Sequence, residues 1–167
     1  MLALGMCVAG RLKGQDYAPA DPDETTLYIE FAPISEEFDP EALTASHLDR
    51  ERLIRKGTDP AEAIRKVVAW TRTSCNGSRP VICAYPAGFD WMFFYWYLQR
   101  FGREESGINF SSCLDMRTMY AAKAQCPWSE AGRHSLPPAL SSPRPHTHNA
   151  LDDAKEQAEI LSKLFAI

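Results

Sequence analysis

Apolar and polar positions divide the chain into strand-like and helix-like stretches. Residues 2–9 are apolar almost throughout and predict a buried strand. Residues 25–33, Thr-Thr-Leu-Tyr-Ile-Glu-Phe-Ala-Pro, alternate apolar and polar character and predict a second strand. Between them, Gly14 to Glu24 is turn-like, with Pro19, Pro22 and several acids. Pro40, Glu41 and Ala42 open a short helix near 40–47, and a longer helix is expected over 59–74. There Asp59 suits the N-cap and Pro60 the first helical position. Residues 80–85, Pro-Val-Ile-Cys-Ala-Tyr, are apolar and predict a third, central strand. Phe89-Asp90 then leads into an aromatic helix from about 91 to 101. Residues 111–114 predict a short fourth strand, and 116–124 a helix. From Gln125 to Thr147 the chain reads as loop, because Pro127, Pro137, Pro138, Pro143 and Pro145 break regular structure. A last helix is expected over 149–165. Strands followed by mixed strands and helices indicate an α/β layer domain.

Length and composition fit one globular domain over residues 1–167. A chain of this size buries roughly 70% of its unfolded surface, enough for a real core. The formal charge of −4 argues against an extended electrostatic groove for long nucleic acid. It leaves room for a small pocket in which metal ions carry the positive charge. The cysteines, Cys7, Cys75, Cys83, Cys113 and Cys126, are odd in number and form no CxxC pair, which suits reduced thiols and a cytoplasmic location. The apolar start, Met1 to Ala9, falls far short of the ~20 residues that span a bilayer, and no membrane association is expected.

Two stretches carry candidate chemistry. In His148-Asn-Ala-Leu-Asp-Asp153, at the start of the last helix, Asp152 and Asp153 fall in the first turn, where the helix dipole favours negative charge. Capping and first-turn acids explain that stretch by itself. Asp90 follows the apolar strand 80–85 and the turn Pro86-Ala87-Gly88, on the sheet edge where α/β folds place ligands. Alone, it reads equally well as the N-cap of the aromatic helix.

Together the two stretches resemble the DnaQ-like 3′-5′ exonucleases of the DEDDh type, which include RNase T, oligoribonuclease and polymerase proofreading subunits. Ala84-Tyr-Pro-Ala-Gly-Phe-Asp90 resembles the family's second motif, and His148-x-Ala-x-x-Asp153 its third. Leu114-Asp115-Met116 is similar to the short strand between them, and Phe38 through Arg50 to the segment after the family's third strand. The resemblance implies an RNase H-like mixed sheet flanked by helices. It also implies a site of two Mg²⁺ or Mn²⁺ ions, roughly 4 Å apart, that clamp the attacking and leaving oxygens of a phosphodiester. Asp90 and Asp153 would be metal ligands, and His148 the general base toward water. The implied partners are 3′ ends of single-stranded DNA or RNA, with a second copy of the chain or a polymerase-type protein as a further partner.

The chain departs from the family in two places. The first motif, an Asp-x-Glu closing the family's first central strand, has no counterpart, since residues 2–9 match the strand after it. An exonuclease is therefore weighed against a non-catalytic binding or interaction module on the same fold. The absent strand should leave its neighbours with unpaired backbone groups. Pro86 stands where the family often has Asn, which removes a side-chain contact at that point but leaves Asp90 intact. The remaining features are read as structural. The run Trp91 to Tyr97 is expected to pack the core, Asp115 to support the fold, and Arg133 and Arg144 to be solvated loop residues. His134, His146 and His148 form no zinc pattern, because no cysteine or acid stands at a suitable spacing. Substrate-binding residues are not identifiable from the sequence.

Overall fold

The computed structural model describes residues 1–102 and 106–167. Its first strand, β1 (Ala3–Cys7), leads into a hairpin of β2 (Gly10–Lys13) and β3 (Asp16–Pro19), which turns at Gly14 with φ +64°. That hairpin replaces most of the turn expected over 14–24. Arg11 pairs with Ala18 and Leu12 with Tyr17 despite the prolines, because Pro19 closes the strand rather than interrupting it. β4 (Thr26–Glu30) then pairs antiparallel with β1, from Ala3 opposite Glu30 to Cys7 opposite Thr26.

Three helices follow. α1 (Pro40–Ser46) and α3 (Pro60–Cys75) start as anticipated, capped by the carboxylates of Asp39 and Asp59. α2 (Arg50–Lys56) was not anticipated; Asp49 caps it, and its one buried side chain is Leu53. Seven residues with a single buried position give almost no periodic signal, so the helix is hidden in the hydrophobic pattern. β5 (Ile82–Ala84), α4 (Ala87–Phe101), β6 (Cys113–Asp115), α5 (Met116–Ala124) and α6 (Ala150–Phe165) complete the described elements. Short 3₁₀ turns at Trp128–Glu130 and Arg133–Ser135 occupy part of the proline-rich loop. No helix among the described residues is long and apolar enough to cross a membrane.

The core has two parts. Phe31, Ile64, Val67, Phe94, Tyr97 and Leu98 fill the space between β4, α3 and α4. Tyr85, Met116, Tyr120, Ile160, Leu161 and Leu164 fill that between α5, α6 and the loop. Each such buried side chain contributes about 1.5–3 kcal/mol relative to exposure. β5 and β6 pair parallel, and β1 pairs with β4; among the described residues no strand pairs with the opposite edge of β1 or of β5. Both edges line one cavity of about 1320 Å³ that runs along α6 past Gln157 and Leu161. β5 was expected to be central. It pairs on one side and borders this cavity, so Ile82 and Cys83 are only half-buried.

A charged clasp holds the loop to the rest. Arg144 donates to Glu159 at 2.7 Å and to Asp23 at 2.7 Å, and Lys155 lies 2.8 Å from the same aspartate. Arg144 is therefore a tie between the loop, the β3–β4 turn and α6, not a solvated arm. Hydrogen bonds from Arg144 and Lys155 hold Asp23 down at about 2. A carboxyl held low in the folded protein adds stability above the ordinary aspartate range, and loses it as pH falls through the folded value. Arg144→Ala should thus lower the melting temperature at about pH 7, and the gap should close between about pH 4 and pH 2. Melting curves of both proteins across that range check this; a gap independent of pH would show that the clasp acts by packing alone.

Candidate active site

The first acid is placed by β6. Asp115, its last residue, caps α5 by accepting from the Thr118 hydroxyl at 2.6 Å and the Thr118 amide at 3.3 Å. Its other oxygen accepts from the Ala87 amide at 3.0 Å. Ala87 is the first residue of α4, so one carboxylate ties the starts of two helices together. Burial alone would push the Asp115 carboxyl up, but the bonds from Thr118 and Ala87 outweigh it and hold the pKa below the usual range. The structural reading of Asp115 is what this geometry supports.

Because Asp115 engages Ala87, α4 begins four residues earlier than the hydrophobic pattern indicates, with Pro86 as its N-cap. Asp90 is therefore inside the first turn and is not the cap. The spacing 87, 90, 94, 97 puts it in line with buried Ala87, Phe94 and Tyr97, at the open end of the inward face. Solvent reaches Asp90 through the cavity, yet the protein packed around its carboxyl pushes the pKa up. Its own amide offsets part of this, and the negative charge of Asp153 adds to it. The aromatic run divides rather than packing wholly inward. Phe94 and Tyr97 are buried, while Met92 is 55% and Trp96 49% exposed; Phe89, just before the run, is 67% exposed. Phe89 lines the cavity beside Asp90.

The third acid comes with α6. Asn149 caps this helix, accepting from the amides of Leu151 and Asp152, and Asp152 accepts from the Thr147 hydroxyl. The ridge Ala150, Asp153, Ala154, Gln157 faces β1 and the cavity. Gly5 of β1 permits this close packing, since a Cβ there would lie 2.2 Å from backbone atoms of Ala150 and Leu151. His148, just before the cap, has a left-handed backbone with φ +58°. Burial raises the Asp153 pKa, against the opposing charges of His146 and Arg133. Its Oδ1 is buried and lies 2.9 Å from His146 Nδ1, though no donor hydrogen points at it.

The structure thus brings Asp90, Asp153 and His148 to the rim of one cavity, and adds a residue the spacing did not single out. His146, His148 and Asp153 each offer a ligand atom, all within 4.8 Å of one another. No acid was expected at a spacing that suits these histidines, yet Asp153 lies beside them, because the first turn of α6 folds it back onto the loop. The rings of His146 and His148 meet edge to face, with centroids 4.3 Å apart. Arg133 is engaged here rather than solvated. Its Nη2 lies 3.0 Å from His146 Nε2, and its Nη1 3.4 Å from Glu156. Two carboxylates that burial pushes up, with the charge of Asp153 raising Asp90 further, suit a hard divalent cation, which would reverse the sign of that perturbation. The five cysteines are unpaired, and burial pushes Cys7 up to about 11 and Cys83 to about 12, so neither is an activated thiol.

No protein-family model matches the chain. A curated protein of Escherichia coli, the 3′-5′ DNA exonuclease Cap18, is 28% identical over 162 residues, which cover 96% of this chain and 79% of Cap18. The likeness runs along nearly the whole of this chain. A solved structure of 3′-end-specific recognition of a histone mRNA stem-loop by a 3′-exonuclease shares the fold, with a TM-score of 0.64 at 15% identity. That match covers 88% of this chain and 64% of the other. Both are named as 3′-exonucleases, and the structural likeness shows that this chain shares a mixed α/β fold with one of them.

Proposed function

We propose that the protein is a 3′-5′ exonuclease that hydrolyses phosphodiester bonds at the 3′ ends of single-stranded nucleic acid, on an RNase H-like fold. The observation that carries this reading is the convergence of Asp90 from α4 and Asp153 from α6 beside His148. Asp90 and Asp153 would hold Mg²⁺ or Mn²⁺. Such ions supply charge neutralisation at the attacking and leaving oxygens. His148 takes the proton from the attacking water at an imidazole nitrogen, and its ring is steadied for that by His146. Phe89, exposed next to Asp90, offers a face on which a terminal base can stack.

The cavity between β1 and β5 belongs to the same reading. Two strand edges without partners among the described residues face it, and an extended backbone offers donors and acceptors to both. A strand seated there would complete a continuous sheet and could bring further carboxylates to the site. The competing reading is a non-catalytic binding module on the same fold. Cap18 acts on DNA and the structural relative recognises an mRNA stem-loop 3′ end, so DNA and RNA oligonucleotides are both to be tried. Incubated with Mn²⁺, a 3′-labelled oligonucleotide should release labelled mononucleotide, and Asp153→Asn should abolish the release. Equal release by both proteins would reject the site, and no release by either would leave the binding module as the better reading.

A further inference from the structure

Three side chains outside the implied catalytic set close a ring beside Asp153. Arg133 comes from the proline-rich loop, His146 from its end, and Glu156 from the next turn of α6. Glu156 is 9% exposed, which is unusual for an acid and calls for partners. It has two, Arg133 Nη1 at 3.4 Å and His146 Nδ1 at 3.1 Å. Arg133 Nη2 approaches His146 Nε2 at 3.0 Å. A guanidinium can only donate, so Nε2 must accept, and the ring proton must sit on Nδ1. Nδ1 also lies 2.9 Å from the buried, otherwise unbonded Oδ1 of Asp153, while its hydrogen is directed at Glu156.

We propose that His146 is a positioning residue for Asp153: fixed as its Nδ1–H tautomer by Arg133, it presents one N–H dipole between the Asp153 and Glu156 carboxylates and keeps Asp153 in place for a cation. The inference rests on the metal-site reading above and deepens it. Without that dipole, Asp153 would face the Glu156 charge directly; the two acids lie three residues apart on α6 and repel. The ring also abuts His148, so the same residue limits how far that imidazole can swing. A ligand role for His146 is the alternative, but both its nitrogens are engaged by protein partners, and a metal would have to displace Arg133 or Glu156.

Two measurements test this. In the metal-free protein at about pH 8.5, above the ordinary imidazole range, ¹⁵N correlation spectra should show His146 with the proton on Nδ1. A proton on Nε2 would overturn the proposal, whatever the protein's activity. The second is Mn²⁺ affinity by electron paramagnetic resonance for His146→Ala, His146→Asn and His146→Gln. An Asn amide nitrogen falls near the position of Nδ1, and a Gln amide nitrogen near that of Nε2. Ala and Gln should weaken Mn²⁺ binding about 10–100-fold, the usual cost of losing a group that orients a ligand. Asn should restore most of it. Equal affinity in His146→Ala and the wild type would overturn the positioning role, and equal weakening by Ala, Asn and Gln would make His146 a ligand. Absence of Mn²⁺ binding by the wild type itself would instead sink the metal-site reading, leaving the tautomer spectrum to judge His146.

Discussion

Gly5→Ala is expected to unfold the protein far more readily than any ordinary glycine replacement. The strand β1 lies directly beneath the first turn of α6, and a Cβ at Gly5 would sit 2.2 Å from the carbonyl of Ala150 and the amide of Leu151. The obstructing atoms are backbone, so no side-chain rotation relieves the clash. Either β1 separates from β4 or α6 is pushed off the strand. Overpacking that moves backbone costs about 3 kcal/mol or more. For a domain of this size that corresponds to a fall in melting temperature of about 10 °C. Gly88→Ala is the control: its Cβ would enter open space inside α4, where alanine favours helix by about 0.5–1 kcal/mol over glycine. A melting temperature of Gly5→Ala within a few degrees of the wild type would show that α6 is loosely seated. The variant also bears on the site. His148 and Asp153 flank the Ala150 contact in sequence, so any folded Gly5→Ala protein should have lost Mn²⁺ affinity as well.

The elements that were legible in the sequence are those whose own residues specify them. α3 shows this best: Asp59 caps it, Pro60 opens it, and Pro60, Ala63, Ile64, Val67 and Thr71 make one buried stripe at helical spacing. α5 and α6 follow the same rule, and β1 and β4 were found within three residues of their expected ends. What escaped depends on partners distant in sequence. α4 starts at Ala87 because Asp115, twenty-eight positions later, takes its amide. α2 is stabilised by Leu53 alone among its buried positions, and β2–β3 by a hairpin turn at Gly14. The site follows the same division. Asp90, His148 and Asp153 could be named from local motifs. Glu156, Arg133 and His146 could not, because a loop histidine and a loop arginine carry no periodicity. Their roles exist only once the loop is folded against α6.

His148→Ala and Asp90→Asn should fail in different ways, and the difference is the sharpest check on the roles assigned. Asp90→Asn removes a charged ligand while nearly preserving shape. It should therefore weaken Mn²⁺ binding by more than the roughly 10–100-fold typical of an outer partner, with catalysis lost along with the metal. It should also stabilise the metal-free fold slightly, because the folded environment already disfavours the Asp90 carboxylate through burial and the neighbouring charge of Asp153. His148→Ala leaves both carboxylates. Its Mn²⁺ affinity should stay close to wild type, while turnover at saturating Mn²⁺ falls by about 10²–10⁴, the usual contribution of a general base. Imidazole added to the buffer should recover part of that turnover, since the space left by the ring opens onto the cavity. The opposite pattern, with His148→Ala losing Mn²⁺ as severely as Asp90→Asn, would place His148 among the ligands. The compact set of His146, His148 and Asp153 would then be the metal centre itself, and proton transfer would need another base.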